Sequence, residues 1–207
     1  DDNNFYLFME YYPNGNLLDY VILRKKLPED EAKCLMYQIF DSILYIHRQN
    51  VTHRDLKPEN IIIDQKGHLR ISDFGLSRFV GENNLVKTPC GSPCYVSPEC
   101  ISGKDYDGLI SDVWSCGVIL YAMVTGVLPW TKRKLHELFR QIRNAEYRIP
   151  SYVSEQCSSL IHMLLTVDPK NRITLEEGKK HTWFNIPVIP EEYYLNYTIP
   201  QDYLKQK

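Results

Sequence analysis

The chain has 207 residues, 43% hydrophobic and 12% aromatic, which is enough apolar material for one domain-sized core. With 24 Lys and Arg against 26 Asp and Glu the formal net charge is −2, so no overall field draws it to nucleic acid or to an anionic membrane. Its six cysteines (34, 90, 94, 100, 116 and 157) show no paired Cys-x-x-Cys spacing, which argues against a zinc module and leaves free thiols in a reducing compartment as the expectation. Of these, Cys90 and Cys94 lie close enough along the chain to suggest a redox pair.

Residues 1–4 are Asp-Asp-Asn-Asn, with no basic and apolar leader of the kind that marks a signal or transit peptide. Residues 5–9 are aromatic and apolar, too short for a helix, and end near the turn signal Pro13-Asn14-Gly15, so they read as a buried strand. From 28 to 47 apolar residues at 32, 35, 36, 39, 40, 43 and 44 form one helical stripe. Pro28 and the acids 29–31 suit its first turn, where proline loses no needed N–H and acids meet the helix dipole. Two β-branched runs, 61–63 and 69–71, flank Asp64-Gln65-Lys66-Gly67-His68 and predict a hairpin.

Residues 81–98 are polar, punctuated by Gly and Pro and without periodicity, the pattern of a long functional loop. The uncharged run 113–131 has the length of a membrane span, but Gly117, Gly126 and Pro129 within it and Asp112 before it favour a helix buried at the centre of a globular fold. Helices are predicted over 134–145, 155–166 and a short stretch after Thr174. The Tyr- and Pro-rich residues from 187 onward have weak periodicity and read as extended or poorly ordered.

Chemistry is concentrated in His53-Arg54-Asp55-Leu56-Lys57-Pro58-Glu59-Asn60, followed by Asp73-Phe74-Gly75. The first aspartates of the two segments lie 18 residues apart, with the predicted hairpin between them. An isolated Asp-Phe-Gly carries little information, whereas the eight-residue segment has a negligible chance of arising by accident. Here the sequence resembles the eukaryotic protein kinase family of Ser/Thr type. Cys90-Gly91-Ser92-Pro93 and His181-Thr182-Trp183-Phe184 bring the likeness nearest to the calmodulin-dependent and AMP-activated kinase group.

The resemblance, which spans residues 5–184, implies an α+β protein-kinase-like fold: a mostly helical large lobe over 14–184 with short β-hairpins, preceded by a remnant of the small-lobe sheet and hinge over 1–13 and followed by a tail over 185–207. It implies an ATP- and Mg2+-dependent protein serine/threonine kinase. In that reading Asp55 accepts the proton of the substrate hydroxyl, Lys57 places a cation near the transferring phosphoryl, and Asn60 and Asp73 ligate Mg2+. Met9 stands at the gatekeeper position, with Glu10 and Tyr12 offering backbone groups to the adenine edge, Ile62 beneath the ring and Asn16 near the ribose. Asn16 replaces an acid that many members carry, which weakens the expectation of a basic substrate, although Glu59 remains to attract one arginine.

Thr88 matches the activation-loop phosphosite, with Arg54 and Arg78 as the phosphate clamp, and Ser92 matches the hydroxyl that supports Asp55 and Lys57. Asp112 is expected to hold the backbone around His53 and Arg54, and Glu99 to pair with Arg172 inside the lobe. The glycine-rich loop and strand lysine of the small lobe have no counterpart: no Gly-x-Gly occurs, and the first lysine, Lys25, lies past the hinge. These residues alone are therefore expected to transfer little phosphate. Two readings follow: a catalytic domain whose small lobe lies outside this sequence, or a catalytically silent docking or scaffold module. Expected partners are Ser/Thr-containing protein substrates and an upstream activating kinase, with no nucleic acid and no membrane, in the cytoplasm or nucleus.

Overall fold

A computed structural model describes residues 4–6, 8–81 and 84–185. In chain order these form α1 (Leu17–Arg24), α2 (Glu29–Arg48), β1 (Val51–Thr52), β2 (Ile61–Ile63), β3 (Leu69–Ile71), β4 (Arg78–Phe79), β5 (Leu85–Val86), β6 (Tyr106–Asp107), α3 (Gly108–Thr125), α4 (Leu135–Arg143), α5 (Glu155–Leu164) and α6 (Leu175–Lys179). The α+β, large-lobe character expected from the sequence holds.

The apolar run forms α3, and every residue from Ser111 to Val124 is buried. It is the central pillar of the domain and shows no lipid-facing side. Both α2 and α5 pack against it. The approach of α5 is close because of Gly117, where a Cβ would come within 2.8 Å of Leu164 Cβ. Fully buried Trp114 stacks on Trp130 with ring centroids 6.0 Å apart. The stripe predicted on α2 supplies the opposite wall, with Leu35, Met36, Ile39, Phe40 and Ile43 fully buried.

Helix ends are tied by side chains. Ser154 caps α5 by accepting from Cys157 N, and the Glu29 carboxylate at the start of α2 accepts from Ser154 N (2.7 Å), Ser154 Oγ (2.7 Å) and the Trp183 indole (2.9 Å). One carboxylate thus fastens the start of α2 to two segments more than a hundred residues further along the chain. Burial pushes the Glu29 carboxyl up, but these three donors outweigh it and hold the group below the usual glutamate range.

The strands make three antiparallel ribbons, β1 with β4, β2 with β3 and β5 with β6. The predicted hairpin has the register Ile61↔Ile71, Ile62↔Arg70, Ile63↔Leu69. The segment predicted as a loop over 81–98 is less irregular than its sequence suggests, because Leu85 and Val86 pair with Asp107 and Tyr106.

Two further expectations are corrected. Residues 5–9 do not form a buried strand: Phe5, Phe8 and Met9 are 108%, 93% and 73% exposed, and the segment carries no strand pairing among the described residues. An extended apolar segment becomes a buried strand only against a partner edge, and none of the three ribbons pairs with this segment among the described residues. Conversely α1 carried no recognisable stripe, yet it forms, with Asn16 as N-cap accepting from Asp19 N at 3.0 Å. The reading of residues from 187 onward lies outside the described residues.

Candidate active site

The loop that follows β1 is shaped from below by one buried carboxylate in the second turn of α3. Asp112, 1% exposed, accepts from the backbone N–H of His53 (2.9 Å) and of Arg54 (2.9 Å), from Thr52 Oγ1 (3.0 Å) and from His47 Nε2 (2.9 Å). Four donors on one buried carboxylate fix the loop from below. It offsets a local cost, since Arg54 sits at φ +68, a region that disfavours residues with a Cβ. The His53 ring completes the foundation. Its Nε2–H donates to Ser72 O (3.0 Å), its Nδ1 accepts from Asp55 N (3.3 Å), and it packs edge-on to Phe74 at 5.0 Å.

On this base the Asp55 carboxylate, 8% exposed, is held from two sides. Oδ1 accepts from Ser92 N (2.8 Å) and Ser92 Oγ (2.9 Å). Oδ2 accepts from Lys57 Nζ (2.8 Å) and Asn60 Nδ2 (3.3 Å), and Lys57 Nζ also donates to Ser92 Oγ (2.8 Å). Ser92, 37 residues further on, therefore closes a ring with Asp55 and Lys57. The approach depends on Gly91 at φ +102, where a Cβ would lie 2.5 Å from the Arg54 carbonyl oxygen. Burial pushes the Asp55 carboxyl up, but the bonds from Lys57 and Ser92 prevail and place it below the usual aspartate range. At neutral pH it is an ionised acceptor.

Asn60 donates its amide to Asp55 O (2.9 Å), which leaves its carbonyl oxygen Oδ1 without a donor among the described residues. Its backbone carbonyl accepts from both Ser72 N (2.8 Å) and Ser72 Oγ (2.9 Å), so the hairpin brings Asp73, the next residue, beside it. Asp73 is exposed and left-handed at φ +58, with Oδ1 accepting from Gly75 N at 3.3 Å and Oδ2 without a donor among the described residues. A carboxamide oxygen and a carboxylate oxygen form a hard donor set that fits Mg2+, which takes one or two protein oxygens and completes its shell with water and phosphate. No cluster of three or more His, Cys, Asp or Glu is present among the described residues, so a closed all-protein metal cage is not the arrangement.

Around this centre the activation segment is tied at several points. Arg54 Nε donates to Leu76 O (2.7 Å) and its Nη1 to Thr88 O (3.3 Å), while the Thr88 side chain is exposed. Arg78 is exposed on β4, opposite Thr52 and so close to Arg54 along the ribbon. Further along, Tyr95 O accepts from Ser115 Oγ (2.9 Å) and Cys94 O from the Trp130 indole (2.8 Å). At the far end Glu99 meets Arg172 in a bidentate pair (2.6 and 2.8 Å). All five N–H groups of Arg172, whose side chain is fully buried, find acceptors, the others being Thr166 O, Ile110 O and Val167 O.

The nucleotide side is less assembled. Asn16 bridges to Ile62, so these two of the expected residues are brought together. The Asn16 carboxamide oxygen is engaged as the α1 cap. Met9 and Glu10 are exposed, and Tyr12 donates its hydroxyl to Glu10 Oε2 at 2.6 Å. Sequence reasoning missed His47 and Thr52 as supports of Asp112, and Ser115 and Trp130 as anchors of the segment after Ser92. Their partners lie 20 to 65 residues away, and no local pattern announces them.

The protein kinase domain profile matches residues 1–184. Among curated relatives, a rice (Oryza sativa subsp. indica) serine/threonine protein kinase OSK3 is 46% identical over 181 residues, 87% of this chain and 36% of the rice protein. The Arabidopsis thaliana SNF1-related protein kinase catalytic subunit alpha KIN12 is 45% identical over 183 residues, 88% of this chain and 37% of its own length. CBL-interacting protein kinase 1 of Oryza sativa subsp. japonica is 40% identical over 205 residues, 94% of this chain and 44% of its own length. The chain thus spans well under half of the curated relatives it matches. With a ring of Asp55, Lys57 and Ser92 beside Asn60 and Asp73, and a profile match over nearly all described residues, the chain belongs to the protein kinase family.

Proposed function

We propose that this chain is the phosphoryl-transfer half of an ATP-dependent protein serine/threonine kinase, moving the γ-phosphate of ATP to Ser or Thr hydroxyls of protein substrates. The observation that carries the reading is the Asp55 carboxylate, ionised, nearly buried and gripped by Lys57 and by Ser92. A substrate hydroxyl placed at Asp55 donates its proton to the carboxylate and is oriented for in-line attack on the γ-phosphorus. Lys57 compensates negative charge on the transferring group, and its bond to Ser92 fixes where that cation sits. Asn60 Oδ1 and Asp73 Oδ2 are the oxygens that would hold Mg2+. When bound, the ion neutralises charge on the phosphates.

On the nucleotide side, Glu10 and Tyr12 offer backbone groups to adenine behind Met9, with Ile62 and Asn16 flanking the ring and ribose. Phosphate on Thr88 would add about −1.5 to −2 charges within reach of Arg54, which already holds the Thr88 carbonyl. Arg78 is the second cation of that clamp. An upstream kinase is the partner this site requires, and a cytoplasmic or nuclear setting suits its free thiols. A silent docking module would have no use for an ionised carboxylate braced by four donors.

The test is transfer of labelled phosphate from ATP to a Ser/Thr peptide by the full-length protein in Mg2+, after treatment with an activating kinase. Transfer is expected, and Thr88→Ala is expected to lower it at least about tenfold. Absence of transfer in the treated protein would overturn the reading, and equal transfer by Thr88→Ala would remove the phosphosite.

A further inference from the structure

The activation segment contains a second pair of groups that phosphoryl transfer does not use. Cys100 Sγ lies 3.6 Å from the Cys90 carbonyl oxygen and donates to it. Both residues border an open cavity of about 290 Å3, with Pro89, Val96 and Phe139. Both also border a small inner cavity that reaches Asp55, Ser92 and Tyr106. The two cysteines therefore stand together in the wall between solvent and the catalytic carboxylate. Cys90 is partly exposed and Cys100 buried, so an oxidant from the open cavity meets Cys90 first.

Sequence spacing pointed to Cys94 as the partner of Cys90, and the structure does not. Cys94 borders a different cavity, with Glu59, Val127 and Leu128, and its carbonyl is tied to Trp130. Cys90 also sits where a small displacement matters. It is separated only by Gly91 from Ser92, whose N–H and hydroxyl hold Asp55 Oδ1. At Gly91 a Cβ would lie 2.5 Å from Arg54 O, so the chain between Cys90 and Ser92 runs close against the loop that carries Asp55.

We infer that Cys90 and Cys100 form a reversible disulfide under peroxide, and that this bond draws Ser92 off Asp55 and suppresses transfer. The Cys90 thiol gives up its proton and the thiolate attacks one peroxide oxygen, giving Cys90 sulfenic acid as the O–O bond breaks and hydroxide leaves to take up that proton as water. Cys100 sulfur then attacks Cys90 sulfur. The S–S bond forms, the S–O bond breaks, and the hydroxyl departs as a second water with the thiol proton. The two thiols lose two electrons and the peroxide gains them, and a dithiol reductant reverses the bond. Burial pushes the Cys90 thiol up, with Arg54 opposing, so the reaction is slow at neutral pH and quickens as pH rises.

The activity arm rests on the kinase reading, and the covalent arm does not. Full-length protein is treated with hydrogen peroxide, alkylated under denaturing conditions and cleaved after Tyr95, which separates Cys90 and Cys94 from Cys100. The expected result is a cross-linked pair, lighter by two hydrogens than the separate thiols, released by dithiothreitol and joining Cys90 to Cys100. Cys90→Ser and Cys100→Val should each abolish it, and Cys94→Ser should leave it. Transfer should fall about tenfold on oxidation, recover on reduction, and resist peroxide in Cys100→Val. Alkylation of every thiol, a Cys90–Cys94 link, a link without loss of transfer, or equal loss in Cys100→Val would each overturn the proposal. A protein with no transfer at all would still reveal the link, which separates failure of this inference from failure of the kinase reading.

Discussion

The loop over 52–60 and the segment over 4–12 differ in where their shape comes from. The first is irregular in sequence yet fixed, because Ser92 and Asp112, itself held by His47, reach it from elsewhere in the chain. The second is apolar and strand-like in sequence yet exposed, because no strand edge stands beside it. Order in this molecule thus follows the presence of a partner more than local propensity, and the residues proposed for phosphoryl transfer lie where partners are dense.

The largest test of that contrast removes chemistry and spares shape. Asp55→Asn keeps the volume of the side chain but withdraws the ionised acceptor. Transfer by the full-length protein is expected to fall about 10²- to 10⁴-fold, with little change in thermal midpoint. The acid limb of the wild-type profile should lie below the ordinary aspartate range. The group is depressed by Lys57 and Ser92, and the base is lost only as pH falls through that lowered value. A variant that retains more than a tenth of wild-type turnover would show that the densest cluster is structural only.

Next comes the anchor at the far end of the activation segment. Glu99→Ala leaves Arg172 buried without its counter-ion and is expected to cost about 3–5 kcal/mol, read as a lower urea midpoint. Replacing both partners by apolar residues, as in Glu99→Leu with Arg172→Met, should recover part of that loss. Failure of the double variant to recover anything would mean that the backbone carbonyls of Thr166, Ile110 and Val167 depend on the guanidinium more than Glu99 does.

Glu29 gives a smaller effect with a defined pH dependence. Glu29→Gln weakens bonds to Ser154 and Trp183 and should cost about 1–2 kcal/mol at pH 7. Because the folded carboxyl is depressed, the stabilisation is present above about pH 4 and is lost as pH falls through the folded value. Wild type and variant should therefore converge in acid. A constant gap down to low pH would show that shape, not charge, is what Glu29 supplies.

The same contrast explains what the sequence disclosed. The hairpin at 61–71 and the helix over 29–48 were legible because period and turn chemistry are local properties. Asp55, Asn60 and Asp73 stood out because the family resemblance places such residues at fixed spacing, and the fold brings Asn60 against Asp55. Helix α1 escaped notice because its eight residues are too short to show a stripe, although Asn16 ahead of Asp19 was a capping signal. The pairing of Leu85 and Val86 with Tyr106 and Asp107 was hidden because two-residue strands carry no period. His47, Ser115 and Trp130 were silent because each acts through a partner that only the fold supplies.

The smallest expected effect is the sharpest test of the comparison. Phe8 is 93% exposed, so Phe8→Ser in these 207 residues should change stability by no more than about 0.5 kcal/mol, read from the urea midpoint. In a longer protein whose strands pair with residues 4–12, the same ring would be buried, and the substitution should cost about 3 kcal/mol or more. A large loss in the short chain would show that the apolar segment already packs on the lobe. A negligible loss in both would show that residues 4–12 never become a strand, and the adenine contacts expected of Glu10 and Tyr12 would then lack the rigid backbone they need. The size of the difference between the two measurements, more than either value alone, decides whether the nucleotide side acquires its order from residues beyond those that order the transfer side.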